Sequence, residues 1–129
     1  MKSVLVLYTD IMPYTVKCLD VFSNLFNVSL NIFINPIKDQ TPFKPKENSR
    51  IKYFDNTDAE LFILNLLEKD KPKFILVSGW NNKIYLKISL IARKMGIVTI
   101  TGCDTFFKGS LRQVFAVITS KFYIRRHFE

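Results

Sequence analysis

Residues 73–104, KFILVSGWNNKIYLKISLIARKMGIVTITGCD, constrain the fold more than any other stretch, because they spell a strand, a helix and a second strand in immediate succession. The continuous apolar run 74–77, introduced by Lys71-Pro72-Lys73, fits a strand buried on both faces better than the alternation of a half-solvated one. After Ser78-Gly79-Trp80, Asn81 or Asn82 can cap a helix. Its apolar face is Ile84, Ile88, Ile91, Ala92 and Met95, and Lys83, Lys87 and Lys94 take the other side. Gly96 supplies the left-handed residue that ends such a helix, and 97–101 reads as a β-branched strand closing at Gly102. Two strands joined in this way lie parallel, through a right-handed crossover.

The remaining chain continues the alternation. An apolar run at 4–8 is the first and central strand, and Val16, Leu19, Phe22, Leu25 and Phe26 give 14–26 a helical period. A second strand follows at 28–34. Residues 35–50, with Pro36, Pro42, Pro45 and scattered lysines, hold no regular element and form a long surface loop. A short third strand at 51–54 precedes Thr57-Asp58-Ala59-Glu60, a capping box for a helix running to about Lys69. The last element, 111–128, is an amphipathic helix. Leu111, Val114, Phe115, Ile118 and Phe122 share one face, and Arg112, Lys121, Arg125, Arg126 and His127 lie elsewhere. Alternating strands and helices specify one Rossmann-like, doubly wound α/β domain over 1–129, with five parallel strands in the order 3-2-1-4-5 and helices on both faces. In such a sheet the ligand crevice opens beyond the carboxyl ends of strands 1 and 4, where the order reverses. The loops there are 9–14 and 78–82, with 102–106 beside them.

Composition narrows the partners less than the charge suggests. With 129 residues and 48% hydrophobic content the chain can bury a real core. Its net charge of +8 favours an anionic partner, but a Lys-, Ile-, Phe- and Asn-rich composition is also what an AT-rich coding sequence yields. Cys18 and Cys103 lack metal-ligand spacing and read as free thiols of a reducing compartment. The apolar run at the amino terminus is too short for a signal peptide, and no segment approaches the roughly 20 apolar residues of a membrane span. The expected location is cytoplasmic, with contact at the inner face of a membrane.

Motif chemistry is mostly excluded. The first loop, Thr9-Asp10-Ile11-Met12-Pro13-Tyr14, has no glycine and so no dinucleotide fingerprint, and GxxxxGK[ST] is absent. A phosphoacceptor receiver would cluster carboxylates on that loop and place a lysine after the last strand, whereas Asp10 stands alone with Asp55 after the third strand. Ser78-Gly79 is not a nucleophile elbow, and His127 far down the last helix reads as a solvated residue. Nucleic-acid binding rests on charge alone, without a helix-turn-helix, RNP or zinc signature, and is not expected. What remains at the crevice is Asp10, Tyr14, Trp80, Asn81, Asn82, Asp104 and Thr105, a set suited to sugars: aromatic rings cover pyranose faces, and carboxylates and amides bind hydroxyls. Each has a plainer reading. Trp80 can pack under the following helix, Asp104 can cap a turn, and Pro13 can start the first helix.

Met12-Pro13-Tyr14-Thr15-Val16 with Leu19 and Phe22, and then Lys71-Pro72, Gly79-Trp80-Asn81, Ala92-Arg93, Gly96-Ile97, Asp104 and Arg112, together resemble the amino-terminal domain of family 4 (group 1) glycosyltransferases of GT-B fold. The resemblance implies that Asp10, Pro13, Tyr14, Gly79, Trp80, Asn81, Asp104, Thr105 and Arg112 face a sugar or lipid-linked acceptor. It implies that Arg112 meets a phosphate or carboxylate, and that the basic helix and loop can rest on an anionic membrane surface. It assigns no catalytic residue and no cofactor or metal to this chain. The nucleotide-sugar donor and the paired glutamates of that family lie in a second domain, expected on a further segment or a partner chain. A free sheet edge and an uncovered helix face are expected near the fifth strand. The competing reading is a non-enzymatic α/β interaction module, such as a degenerate receiver-like domain.

Overall fold

The computed structural model describes residues 2–9, 11–34, 45–54, 59–79, 82–102 and 110–128, without the side chains of Ala59 and Arg112. The elements run β1 (Lys2–Tyr8), α1 (Pro13–Phe26), β2 (Val28–Ile34), β3 (Ile51–Phe54), α2 (Ala59–Asp70), β4 (Phe74–Ser78), α3 (Lys83–Lys94), β5 (Val98–Gly102) and α4 (Leu111–His127). The five strands form one parallel sheet in the order β3-β2-β1-β4-β5. This is the doubly wound, Rossmann-like arrangement expected from the alternation.

The sheet has a core on each face. Val4, Val6, Leu30, Ile32 and Ile51 point to the side covered by α1 through Leu19, while Leu5, Leu7, Phe33, Ile75 and Val77 point to the side covered by α2 and α3. β1 is therefore buried on both faces from Val4 to Leu7, which is why its sequence is apolar without alternation. β4 is less enclosed than its apolar run suggests. Ile75 and Val77 are buried, but Phe74 and Leu76 are only half-buried, because among the described elements α1 alone covers that side. Val98 and Ile100 of β5 register beside Phe74 and Leu76 and stay 39% and 40% exposed. Among the described residues β5 is the last strand of the sheet on its side, as the expected free edge requires.

Local chemistry fixes the helix ends. Pro13 opens α1, and Asn27 ends it in the left-handed region. Ser23, buried in α1, donates to the Val28 carbonyl at 2.7 Å and ties the helix to the strand it feeds. Asn82, not Asn81, has the described cap of α3: its side chain accepts from the N–H groups of Ile84 (3.0 Å) and Tyr85 (3.2 Å). Gly96 adopts φ +75° and stops α3, as its position predicts. Thr57 and Asp58 of the expected capping box lie outside the described residues, and Glu60 pairs with Lys87 of α3. The loop 35–50 is described from Pro45 onward. There Glu47 accepts from the Tyr53 N–H, and Asn48 accepts from Arg50 and Ile51, so this segment satisfies the outer edge of β3.

Three expectations need correction. The buried face of α3 is Tyr85, Leu86, Ile88, Ser89 and Ala92, whereas Ile84 and Met95 are exposed. The helix is turned because Tyr85 donates its hydroxyl to the Tyr8 carbonyl and Ser89 donates to the Tyr85 carbonyl, which satisfies both polar groups inside. In α1, Leu25 and Phe26 are exposed rather than part of the core. His127 is buried, not solvated: Nδ1 lies 2.9 Å from the Tyr123 carbonyl, and its own carbonyl accepts from Thr99 Oγ1 at 2.6 Å. That bond and Phe128, 3% exposed, anchor the end of α4 beside α3 and β5. The rest of α4 stands away from the core, with Leu111, Phe115 and Phe122 at 83%, 70% and 81% exposure.

Candidate functional site

β1 and β4 are adjacent and parallel, with Leu7 opposite Val77, so their carboxyl ends open side by side at the reversal of strand order. Two hydrogen bonds hold this mouth. The Thr9 N–H donates to Ser78 Oγ at 3.1 Å across the β1–β4 junction, and the Tyr85 hydroxyl donates to the Tyr8 carbonyl at 2.8 Å. Ser78 and Tyr85 thus lock the start of the first loop against the start of the fourth-strand loop. On the β5 side, the Gly79 N–H donates to the Gly102 carbonyl at 3.1 Å, and Thr101 Oγ1 donates to the carbonyls of Val77 and Gly79. The strand pairing therefore extends one residue beyond Ser78.

Gly79 has φ +79°, and a Cβ there would meet nothing within 4 Å. Its requirement is one of backbone conformation, not of space: the chain leaves β4 through the left-handed region that only glycine enters freely. Pro13 is the first residue of α1 at the same end of the sheet, and Tyr14 beside it is 67% exposed. Pro13, Tyr14 and Gly79 are therefore gathered at the ends of two neighbouring strands. Ile11, in the same loop, is buried and pins it to the core.

Asp10, Trp80, Asn81, Asp104 and Thr105 lie outside the described residues. Arg112 lies in the first turn of α4, with its side chain outside them too. Of the two cysteines, Cys103 also lies outside, and Cys18 is an exposed free thiol. Among the described residues, no group of three or more His, Cys, Asp and Glu could hold a metal ion, and no helix is long and apolar enough to cross a membrane.

A second feature lies at the opposite end of the sheet. A pocket of about 640 Å³ opens under the amino ends of β1, β2 and β3 and the carboxyl end of α2, lined by Lys2, Arg50, Lys52, Lys69, Lys71 and Lys73 with Asp70 and neutral polar groups between them. Sequence reasoning missed it because these cations come from three separate segments. The one local signal was the run Lys69-Asp70-Lys71-Pro72-Lys73, which reads equally well as a solvated helix end.

Comparison of the chain with protein families, curated proteins and solved structures gave no match.

Proposed function

We propose that this chain is the acceptor-binding wall of a GT-B glycosyltransferase, binding a glycan or lipid-linked acceptor at the β1–β4 mouth and acting with a second, donor-binding domain or chain. The observation that supports the reading is the strand order, which reverses at β1 and β4, with Pro13, Tyr14 and Gly79 just beyond the carboxyl ends of those two strands. Asp10, Trp80, Asn81, Asp104, Thr105 and Arg112 are the further contacts, on the loops and helix that continue from these strand ends. An amide and carboxylates recognise hydroxyls, aromatic faces cover sugar rings, and Arg112 meets a phosphate that links sugar to lipid. The nucleotide-sugar donor and the reacting groups belong to the second domain, so the isolated chain binds without transferring. The exposed apolar stripe of α4, next to Arg125 and Arg126, supports a peripheral place on an anionic membrane surface at the cytoplasmic side.

The competing interaction-module reading draws on the same uncovered helix. Its receiver-like form has less support, because receivers are built on the order 2-1-3-4-5 and this sheet runs 3-2-1-4-5.

The test measures binding of soluble oligosaccharides and polyprenyl-diphosphate-linked sugars to the chain, and transfer when a donor-binding domain is added. The expected result is acceptor binding by the chain alone, transfer only with the donor domain, and loss of both in the triple variant Trp80→Ala, Asp104→Ala, Arg112→Ala. Acceptor binding that survives the triple substitution would overturn the site assignment. Absence of binding to every sugar acceptor would overturn the functional reading.

A further inference from the structure

The basic pocket at the amino ends of the strands is far from the crevice and independent of its proposed role. Six of its lining residues are cations and one, Asp70, is a carboxylate, whereas the whole chain carries 19 Lys and Arg against 11 Asp and Glu. A generally lysine-rich surface would intersperse acids at the chain's own ratio, and this pocket does not. The carbonyl end of α2 is the negative end of a helix, and it accounts for cations at Lys69, Lys71 and Lys73. No helix end accounts for Lys2, at the start of β1, or for Arg50 and Lys52, at the start of β3. Among the described residues, the ion pair formed is Lys87 with Glu60, and none of the six pocket cations takes part in one.

The walls between the cations are equally selective. Ser3, Ser29 and Asn31 lie on the face of the sheet that α2 and α3 cover higher up, and they present hydroxyls and an amide where the neighbouring strand positions carry core residues. Among the described residues no apolar or aromatic side chain lines the pocket, so it offers no platform for a nucleobase or a lipid tail. Lys71 adds a sign of its own. It has φ +40°, at the position after α2 where glycine is favoured, and the residue there is a lysine. The left-handed backbone there sets the direction in which the Lys71 cation leaves the chain at the pocket lip.

We propose that this pocket binds a small, multiply charged phosphate ligand, of the class of diphosphate or a bisphosphorylated polyol, held by Lys2, Arg50, Lys52 and Lys71 with Ser3, Ser29 and Asn31 as neutral partners. Six cations beside a single carboxylate, none of them in an ion pair among the described residues, repel one another, and one polyanion relieves all of these repulsions together. Binding therefore depends on ligand charge and weakens steeply with salt.

The experiment titrates the 129-residue chain with inorganic diphosphate and, separately, with inorganic phosphate and a single-stranded oligonucleotide, by calorimetry and by amide shifts in NMR spectra. Saturable diphosphate binding, tighter than that of phosphate and shifting the amides of Ser3, Ser29, Asn31 and Lys52, is expected. Lys52→Ala and Lys71→Ala each weaken it by on the order of tenfold, the usual cost of losing a charge-assisted hydrogen bond. Lys83→Ala and Lys121→Ala, equal in charge but remote, leave it unchanged. Lys71→Gly separates ligand binding from a structural role, because it raises the thermal midpoint of the free protein by relieving the left-handed backbone while it weakens diphosphate binding. Equal weakening by the remote variants would reduce the effect to net charge and overturn the proposal. So would oligonucleotide binding that diphosphate cannot displace, shifts confined to other parts of the chain, or a Lys71→Gly protein that binds diphosphate as well as the parent.

Discussion

Tyr53 shows how a single atom can oppose the fold that holds it. It sits on β3 with its ring packed against the α1 side of the sheet, and its hydroxyl is buried without a hydrogen-bond partner among the described residues. Burial, and then the nearby Asp20 carboxylate, hold its phenol above the ordinary value of about 10. Asp20 is fixed by its own contact, accepting from Asn48 Nδ2 at 3.1 Å. The neutral phenol is thus the form the fold prefers. Its contribution is fully present below about pH 10, where the unfolded tyrosine begins to ionise, and is lost as pH rises through the higher folded value. Tyr53→Phe keeps the ring, removes the hydroxyl that burial leaves unsatisfied, and removes the titration. The expected result is a gain of about 1 kcal/mol at neutral pH, with a shallower loss of stability above about pH 10. Denaturant unfolding of both proteins at neutral and alkaline pH checks this, and a less stable variant at neutral pH would mean that the hydroxyl has a partner.

At the scale of the element, α4 is the part of the chain whose sequence and packing diverge most. Its last turn is docked: Thr99 donates to the His127 carbonyl, the Arg93 guanidinium donates to the Arg125 carbonyl, and Phe128 enters the core. Its earlier turns carry an apolar stripe, Leu111, Phe115, Ile118 and Phe122, that no described element covers. Each such side chain would contribute about 1.5–3 kcal/mol on full burial, so a stripe of four is a strong tendency left unused in the folded chain. With Lys121, Arg125 and Arg126 alongside, it has the composition of an interfacial helix. Phe115→Ala with Phe122→Ala is therefore expected to reduce binding to phosphatidylserine-containing vesicles by tenfold or more, since the two rings supply much of the apolar area. The same substitutions should leave the thermal midpoint within a few degrees, because neither ring supports the core. Co-sedimentation and thermal unfolding read the two effects. A large fall in midpoint would show that the stripe is covered in solution, and unchanged vesicle binding would remove α4 from the membrane-contact reading.

For the molecule as a whole, what the sequence discloses depends on how local the signal is. The apolar run at 4–8 sits on a strand with core on both faces, the run at 74–77 on one buried on one face and half-buried on the other, and Gly96 stops α3 where the pattern says it should, so the sheet and its order were readable. Reading fails where polar groups are buried in pairs. Tyr85, Ser89 and His127 lie off the apolar faces read from the periodicity, yet bonds to Tyr8, Tyr85 and Tyr123 satisfy them inside, and α3 turns accordingly. It also fails for the basic pocket, because Lys2, Lys52 and Lys73 meet only through strand register. The reversal of strand order was legible by topology, and Pro13, Tyr14 and Gly79 follow the ends of β1 and β4, whereas Asp10, Trp80, Asn81, Asp104 and Thr105 lie outside the described residues, as does the Arg112 side chain. The same division between enclosed centre and open margin should govern local stability. β1 is paired on both sides and buried on both faces, and β2, β4 and α3 pack directly around it, so their amides should open only with global unfolding. The first turns of α4 lack buried neighbours, and their amides should exchange through local opening, orders of magnitude faster than those of Leu5 and Val77. Residue-resolved hydrogen exchange on the free chain decides the matter. Protection in α4 before Ser120 equal to that of β1 would mean that its apolar stripe is covered, and a sheet that loses β1 before β5 would contradict a core centred on the first strand.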